Sequence, residues 1–133
     1  MDESNDHDLV ALVRRGYDEY ARGPVALVSL FADDIEFHNG GAHRNAGTFR
    51  GRETVLGMLL RVRELSGNTI SITPRNIIQA GDSMVLALVH VTAARGDRTL
   101  DEIAAHLSRW ENEQIVEYWT TYQDQDAVDD FWG

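Results

Sequence analysis

The chain has 133 residues, 43% of them hydrophobic, and a formal net charge of -10 at pH 7. That is enough apolar material for one cored domain, residues 1–133, and too little length for two. The negative charge sets the chain against polyanions, so no nucleic acid and no anionic membrane surface is expected as a partner, and the lack of cysteine removes disulfides and thiolate chemistry.

The first eight residues are acidic and polar where a secretory leader is basic and then apolar. No apolar run reaches membrane-spanning length, so a cytoplasmic protein is expected, with residues 1–6 flexible. Ser4, Asn5 and Asp6 offer caps for an amphipathic helix with the stripe Leu9, Leu12, Val13, Gly16, Tyr17 and Tyr20, ending at Gly23. Pro24 suits a first helical position. A shorter helix starts there, burying Val25, Leu27, Val28, Leu30 and Phe31 until Asp33 and Asp34 break it.

From Ile35 the period changes to two, with Ile35, Phe37 and Asn39 on one side and Glu36 and His38 on the other. An irregular, glycine-rich loop, 40–50, follows. Glu53 then favours the first turn of a third helix, whose stripe is Val55, Leu56, Leu59, Val62 and Leu65 and whose end is Ser66, Gly67 and Asn68. The remainder is strand. Pro74 marks a bulge or a sheet edge in residues 69–80, and Met84 to Ala93 is apolar enough to be buried on both faces. Residues 99–123 form a hairpin about Glu111, Asn112 and Glu113. The turn from Arg95 to Arg98 and the acidic tail, 124–133, are expected at the solvated surface. The order is α+β: three N-terminal helices packed on a strongly curved, mainly antiparallel sheet, closing as a cone-shaped α+β barrel with a cavity inside.

Several side chains fit such a cavity. His106 alternates with Ala104, Ser108 and Trp110, so a small residue leaves space beside an imidazole that titrates near working pH. Its alternative is a core histidine bonded to a backbone carbonyl. Asn39 is either a donor to a ligand carbonyl or a turn residue bonding its own backbone. Tyr17 is either a core ring or a ligand contact. If Tyr118 and Tyr122 point into the cone, Trp119 points with Glu117 to the other face, where a homodimer could cover it. Trp110, His90 and His38 complete the candidate ligand contacts, each with a core or surface alternative. His38 and His43 could reach one ligand, but no third ligand at metal-binding spacing accompanies them.

The runs Leu30-Phe31-Ala32-Asp33-Asp34-Ile35-Glu36-Phe37-His38, Gly47-Thr48-Phe49-Arg50-Gly51-Arg52-Glu53-Thr54-Val55 and Ile115-Val116-Glu117-Tyr118-Trp119, with Tyr17 ahead of them, resemble the nuclear transport factor two-like superfamily. Within it the chain is similar to the SnoaL-like and ketosteroid-isomerase-like branch, over residues from about 8 to 132. The resemblance implies a pocket between sheet and helices, a hydrophobic small molecule as partner, a homodimer through the sheet face, and chemistry without metal or organic cofactor. It carries the steroid-isomerase general base onto Asn39, the oxyanion-donor position onto His106 and the helix-one tyrosine onto Tyr17. The acidic residue that polyketide cyclases of this type place at the end of the last strand maps most closely to Gln123, with Asp124 one residue beyond. The function implied is cofactor-free acid-base chemistry (cyclisation, isomerisation or hydration) on a hydrophobic carbonyl or epoxide, and the alternative is a binding or dimerisation module of the same fold.

Overall fold

The computed structural model describes residues 8–133; the expected caps Ser4, Asn5 and Asp6 and the expected flexibility of residues 1–6 lie outside the described residues. Helix α1, Leu9–Arg22, is capped instead by Asp8, whose carboxylate accepts from the Ala11 N–H at 3.1 Å. It buries Leu9, Val13, Tyr17 and Tyr20. Pro24–Leu30 is a 3-10 helix rather than an α-helix, so burial recurs every third residue, at Pro24, Leu27 and Leu30, and Val25 is left exposed.

Strand β1, Phe31–Asn39, starts earlier than the sequence suggests. Asp33 and Asp34 lie inside it, exposed at an irregularity in the pairing between Phe31 and Glu36. The expected loop ends in a strand: β2, Gly47–Arg50, pairs antiparallel with β1, setting Phe37 opposite Phe49. Helix α2, Arg52–Leu65, carries Glu53 in its first turn and buries Val55, Met58 and Val62.

Strands β3 (Ser71–Ala80), β4 (Met84–Arg95), β5 (Arg98–Glu111) and β6 (Gln114–Tyr122) form an antiparallel meander. The six strands run in the order β2-β1-β6-β5-β4-β3, and β1 lies parallel to β6. The fold is therefore α+β, with a curved, mainly antiparallel sheet. Pro74 sits both on an edge strand and at a register shift, so both of its expected roles hold. The β5–β6 hairpin turns on Asn112 and Glu113, both with positive φ (53° and 63°), a conformation that matches the twist of the flanking strands.

Two further expectations fail. Strand β4 is not buried on both faces: Val85, Ala87, Val89 and Val91 are at most 1% exposed, whereas Met84, Leu86, Leu88 and His90 alternate with them as half-buried residues of the outer face. Nor is the tail solvated. Residues Gln125–Trp132 form α3, capped by Asp124, and its stripe of Val128, Phe131 and Trp132 is buried. Arg95 donates to the carbonyls of Phe131 and Trp132 (3.1 and 3.3 Å), and Arg98 to those of Asp130 and Gly133 (both 3.1 Å). The guanidinium groups thus answer the free carbonyls of a helix C-terminus.

Candidate functional site

Helices α1 and α2, the 3-10 helix and the inner sheet face enclose a cavity of about 110 Å³. An apolar cavity of about 150 Å³ takes a benzene ring, so a single small ring is the upper limit for an occupant of this one. Half-buried Leu12, Leu59, Ile70 and Ile72 lie on its α1–α2–β3 side. Among the described residues the lining holds no carboxylate, guanidinium or ammonium; its titratable groups there are His106 and the tyrosines Tyr17, Tyr20, Tyr118 and Tyr122.

His106 is placed by strand register. It lies opposite Ala87 on β4 and Thr120 on β6, so small neighbours flank the ring. Tyr17, one helical face across, and Tyr118, from β6, bring their hydroxyls to 2.8 and 2.9 Å from His106 Nδ1 and to 3.3 Å from each other. The Tyr17 ring stacks on the imidazole with centroids 6.0 Å apart, and Tyr118 stacks on Phe37 at 4.7 Å. The histidine is therefore bonded to side chains and not, as its alternative had it, to a backbone carbonyl. No bond to Nε2 is present among the described residues, although His106 lines the cavity.

Burial sets the protonation states. It lowers the His106 pKa from 6.5 to about 4, so the imidazole is neutral at pH 7. Burial also raises Tyr17 and Tyr118 above the usual phenol range, the second further raised by the neighbouring Tyr17, and pushes Tyr20 and Tyr122 up to about 12. All four phenols are neutral donors. His106 is the sole group of the lining with a lone pair basic enough to take a proton.

Asn39 lines the same cavity, but its amide is engaged: Nδ2 donates to the Asn45 carbonyl at 2.8 Å and Oδ1 accepts from Thr120 at 2.6 Å. Trp110 is buried in the lining, and its indole N–H donates to Ser108 Oγ at 2.8 Å. Tyr118 and Tyr122 face inward and Trp119 outward, as the strand alternation suggests, because the β-bulge of this hairpin lies before them, at the pairing of Arg109 and Trp110.

Three sequence candidates are not brought into the cavity. Asp124 is exposed and caps α3, accepting from Ala127 N–H at 3.1 Å. His90 sits on the outer face, bonded to Asp101, because β4 alternates. His38 is also outside. It bonds Glu117 at 2.8 Å and Thr48 at 2.9 Å, stacks on Trp119 and lies 3.6 Å from Glu36. The bond from His38 is the main reason the Glu117 carboxyl lies below its usual range. Glu36, His38 and Glu117 offer ligand atoms within 4.8 Å of one another; the third ligand, absent from the spacing around His38, arrives from β6. Arg50 and Arg109 hold the other oxygens of the two carboxylates at 3.0 and 3.2 Å, which makes the cluster a charge network. Residues missed from sequence are Tyr20, three positions after Tyr17 on the same helical face, and Thr120, whose alternation with Tyr118 was legible.

The SnoaL-like domain model matches residues 13–118. The uncharacterized protein Rv0034 of Mycobacterium tuberculosis (strain ATCC 25618 / H37Rv) is 32% identical over 131 residues, covering 98% of this chain and 99% of the relative. Among solved structures, Bal32a from a soil-derived mobile gene cassette superposes with a TM-score of 0.91 at 27% identity, covering 96% of this chain and 99% of that one. A protein of unknown function with a cystatin-like fold from Xanthomonas campestris gives 0.87 at 26% identity, over 93% of this chain and 97% of that one.

Proposed function

Because the chain belongs to the SnoaL-like domain family and carries the nuclear transport factor two-like fold, we propose that it is a cofactor-free acid-base enzyme acting on a neutral, hydrophobic small molecule bearing a carbonyl or epoxide. One observation carries this reading: the polar tips of His106, Tyr17 and Tyr118 converge within 3.3 Å of one another in a chamber lined mostly by apolar groups. His106 Nε2 exchanges a proton with the substrate, and phenol donors meet the oxygen on which charge develops. In a site screened from water one such donor is worth a few kcal/mol. The same lining offers no counter-ion, which disfavours charged substrates.

Asn39 supports a second reading, a non-catalytic ligand-binding module, since an amide already bonded to Asn45 and Thr120 supplies no base. A thermal-shift screen of single-ring ketones, enones and epoxides against the protein and its His106→Gln variant, with turnover measured for every hit, separates the two. Turnover lost in the variant while binding persists supports the enzyme. Binding without turnover in either protein refutes it.

We further propose that a second copy covers the outer sheet face. Ile78, Leu86, Leu107 and Trp119 are paired in register across β3, β4, β5 and β6, forming an apolar row over four of the six strands. Charged groups flank it: Glu36, Glu117 and Arg109 on one side, His90 and Asp101 on the other. An apolar centre with a polar rim is the anatomy of a protein interface.

A further inference from the structure

The two tyrosines on His106 Nδ1 do more than hold the ring. A single ring nitrogen either donates its one proton or accepts on its one lone pair, yet two hydroxyls approach it at 2.8 and 2.9 Å. Each neutral tautomer therefore uses them differently. With the proton on Nδ1, that N–H donates to one tyrosine oxygen and Nε2 presents a lone pair to the chamber. With the proton on Nε2, Nδ1 accepts from the other tyrosine and Nε2–H is a donor.

We propose that Tyr118, His106 and Tyr17 form a tautomeric proton relay, in which Tyr118 is the catalytic acid and Tyr17 the positioning residue that catches Nδ1 when its proton has left. Tyr118 is taken as the carrier because it is half-buried whereas Tyr17 is buried, and both line the chamber. The relay rests on the acid-base reading above and deepens it. In the first stroke, on a ketone whose C=C bond lies one carbon away from the carbonyl, Nε2 takes a proton from the carbon between them, the C–H electron pair forms a new C=C bond to the carbonyl carbon, and the C=O pair moves onto the oxygen. Nδ1 passes its proton to the Tyr118 oxygen, and Tyr118 passes its own to the carbonyl oxygen, giving a neutral enol. Tyr17 then donates to the emptied Nδ1. In the second stroke Nε2–H protonates the far carbon of the double bond, the enol proton returns to Tyr118, and the Tyr118 proton returns to Nδ1. Each group ends as it began, the double bond has moved, and no ion has formed.

Such a path suits this chamber. The groups facing the ring are Tyr17 from α1, Tyr118 from β6 and, beside them, Thr120 and Ala87; no carboxylate of the lining is there to pair with an imidazolium.

The test reads the histidine itself. In nitrogen-15 spectra of the full chain at pH 7, the His106 ring nitrogens are expected between the donor and acceptor limits, as two tautomers in exchange. Tyr17→Phe removes the donor to bare Nδ1 and shifts the balance toward Nδ1–H. Tyr118→Phe removes the acceptor of Nδ1–H and shifts it toward Nε2–H. A single locked tautomer in the wild-type protein overturns the relay, even should either variant fail to fold. With cyclohex-3-en-1-one as probe, formation of the conjugated enone is expected to fall about 10²-fold or more in Tyr118→Phe and less in Tyr17→Phe; the reverse order overturns the assignment of the carrier. Failure to turn over this probe with averaged nitrogen shifts intact counts against the acid-base reading alone.

Discussion

Replacing His106 by glutamine keeps a polar group for the two tyrosines and removes the titration. Burial lowers the imidazole pKa from 6.5 to about 4, so the unfolded chain takes up this proton at a higher pH than the folded one. Stability contributed by the neutral ring is complete above pH 6.5 and is lost as pH falls toward 4. The full loss is about 3 kcal/mol, and at pH 5.5 it is about 1.4 kcal/mol. That pH also stays clear of the isoelectric point near 4.7, where low net charge promotes association. Urea unfolding of both proteins at pH 7.5 and pH 5.5 gives the answer as a double difference, from which the remaining histidines and carboxylates cancel. The wild type should lose about 1.4 kcal/mol more than His106→Gln between the two values, or roughly 0.5–1.5 M in midpoint. Equal losses would refute the placement of a neutral, desolvated imidazole at residue 106.

Leu107→Lys places a charge in the centre of the outer apolar row and should convert a dimer to a monomer in light scattering with an unchanged circular dichroism spectrum; a wild-type monomer refutes the second copy. Arg95→Met removes two charge-assisted bonds to the carbonyls of Phe131 and Trp132 and should cost about 1.5–3 kcal/mol in urea unfolding, with the end of α3 more readily cleaved by protease. Gly41→Ala adds a Cβ at a φ of 112° that meets Gln125 and Asp129; a loss of about 1 kcal/mol or more is expected in the same assay.

The fold was legible because its elements obey simple periods. Leu9, Val13, Tyr17 and Tyr20 follow the helical spacing, and Phe37, Ser108 and Tyr118 follow alternation, so the inward faces were assigned correctly. His106 and Tyr17 were legible as candidates, but their contact was not, since it depends on how α1 lies across a curved sheet. Asp124 failed for the opposite reason: a local role, the cap of α3, is available to it, and sequence proximity to the last strand carries no depth. His90 was misjudged because an almost unbroken apolar run does not distinguish a strand buried on both sides from one whose outer face is itself apolar. In the tail four aspartates argue for solvent, but the spacing of Val128, Phe131 and Trp132 is helical and decides the outcome.

The parallel seam between β1 and β6 has a consequence for synthesis. Tyr17 finds its partners 89 and 101 residues downstream, and β1 must wait for the last strand before its own hydrogen bonds are complete. On the ribosome the early helices emerge long before the wall they pack against. Contacts of such long range delay folding and leave oily surface bare in the meantime. Any nascent chain stalled short of residue 114 would carry the helices and four or five strands with the β6 wall of the cavity missing, a natural client for chaperones that shield emerging polypeptides.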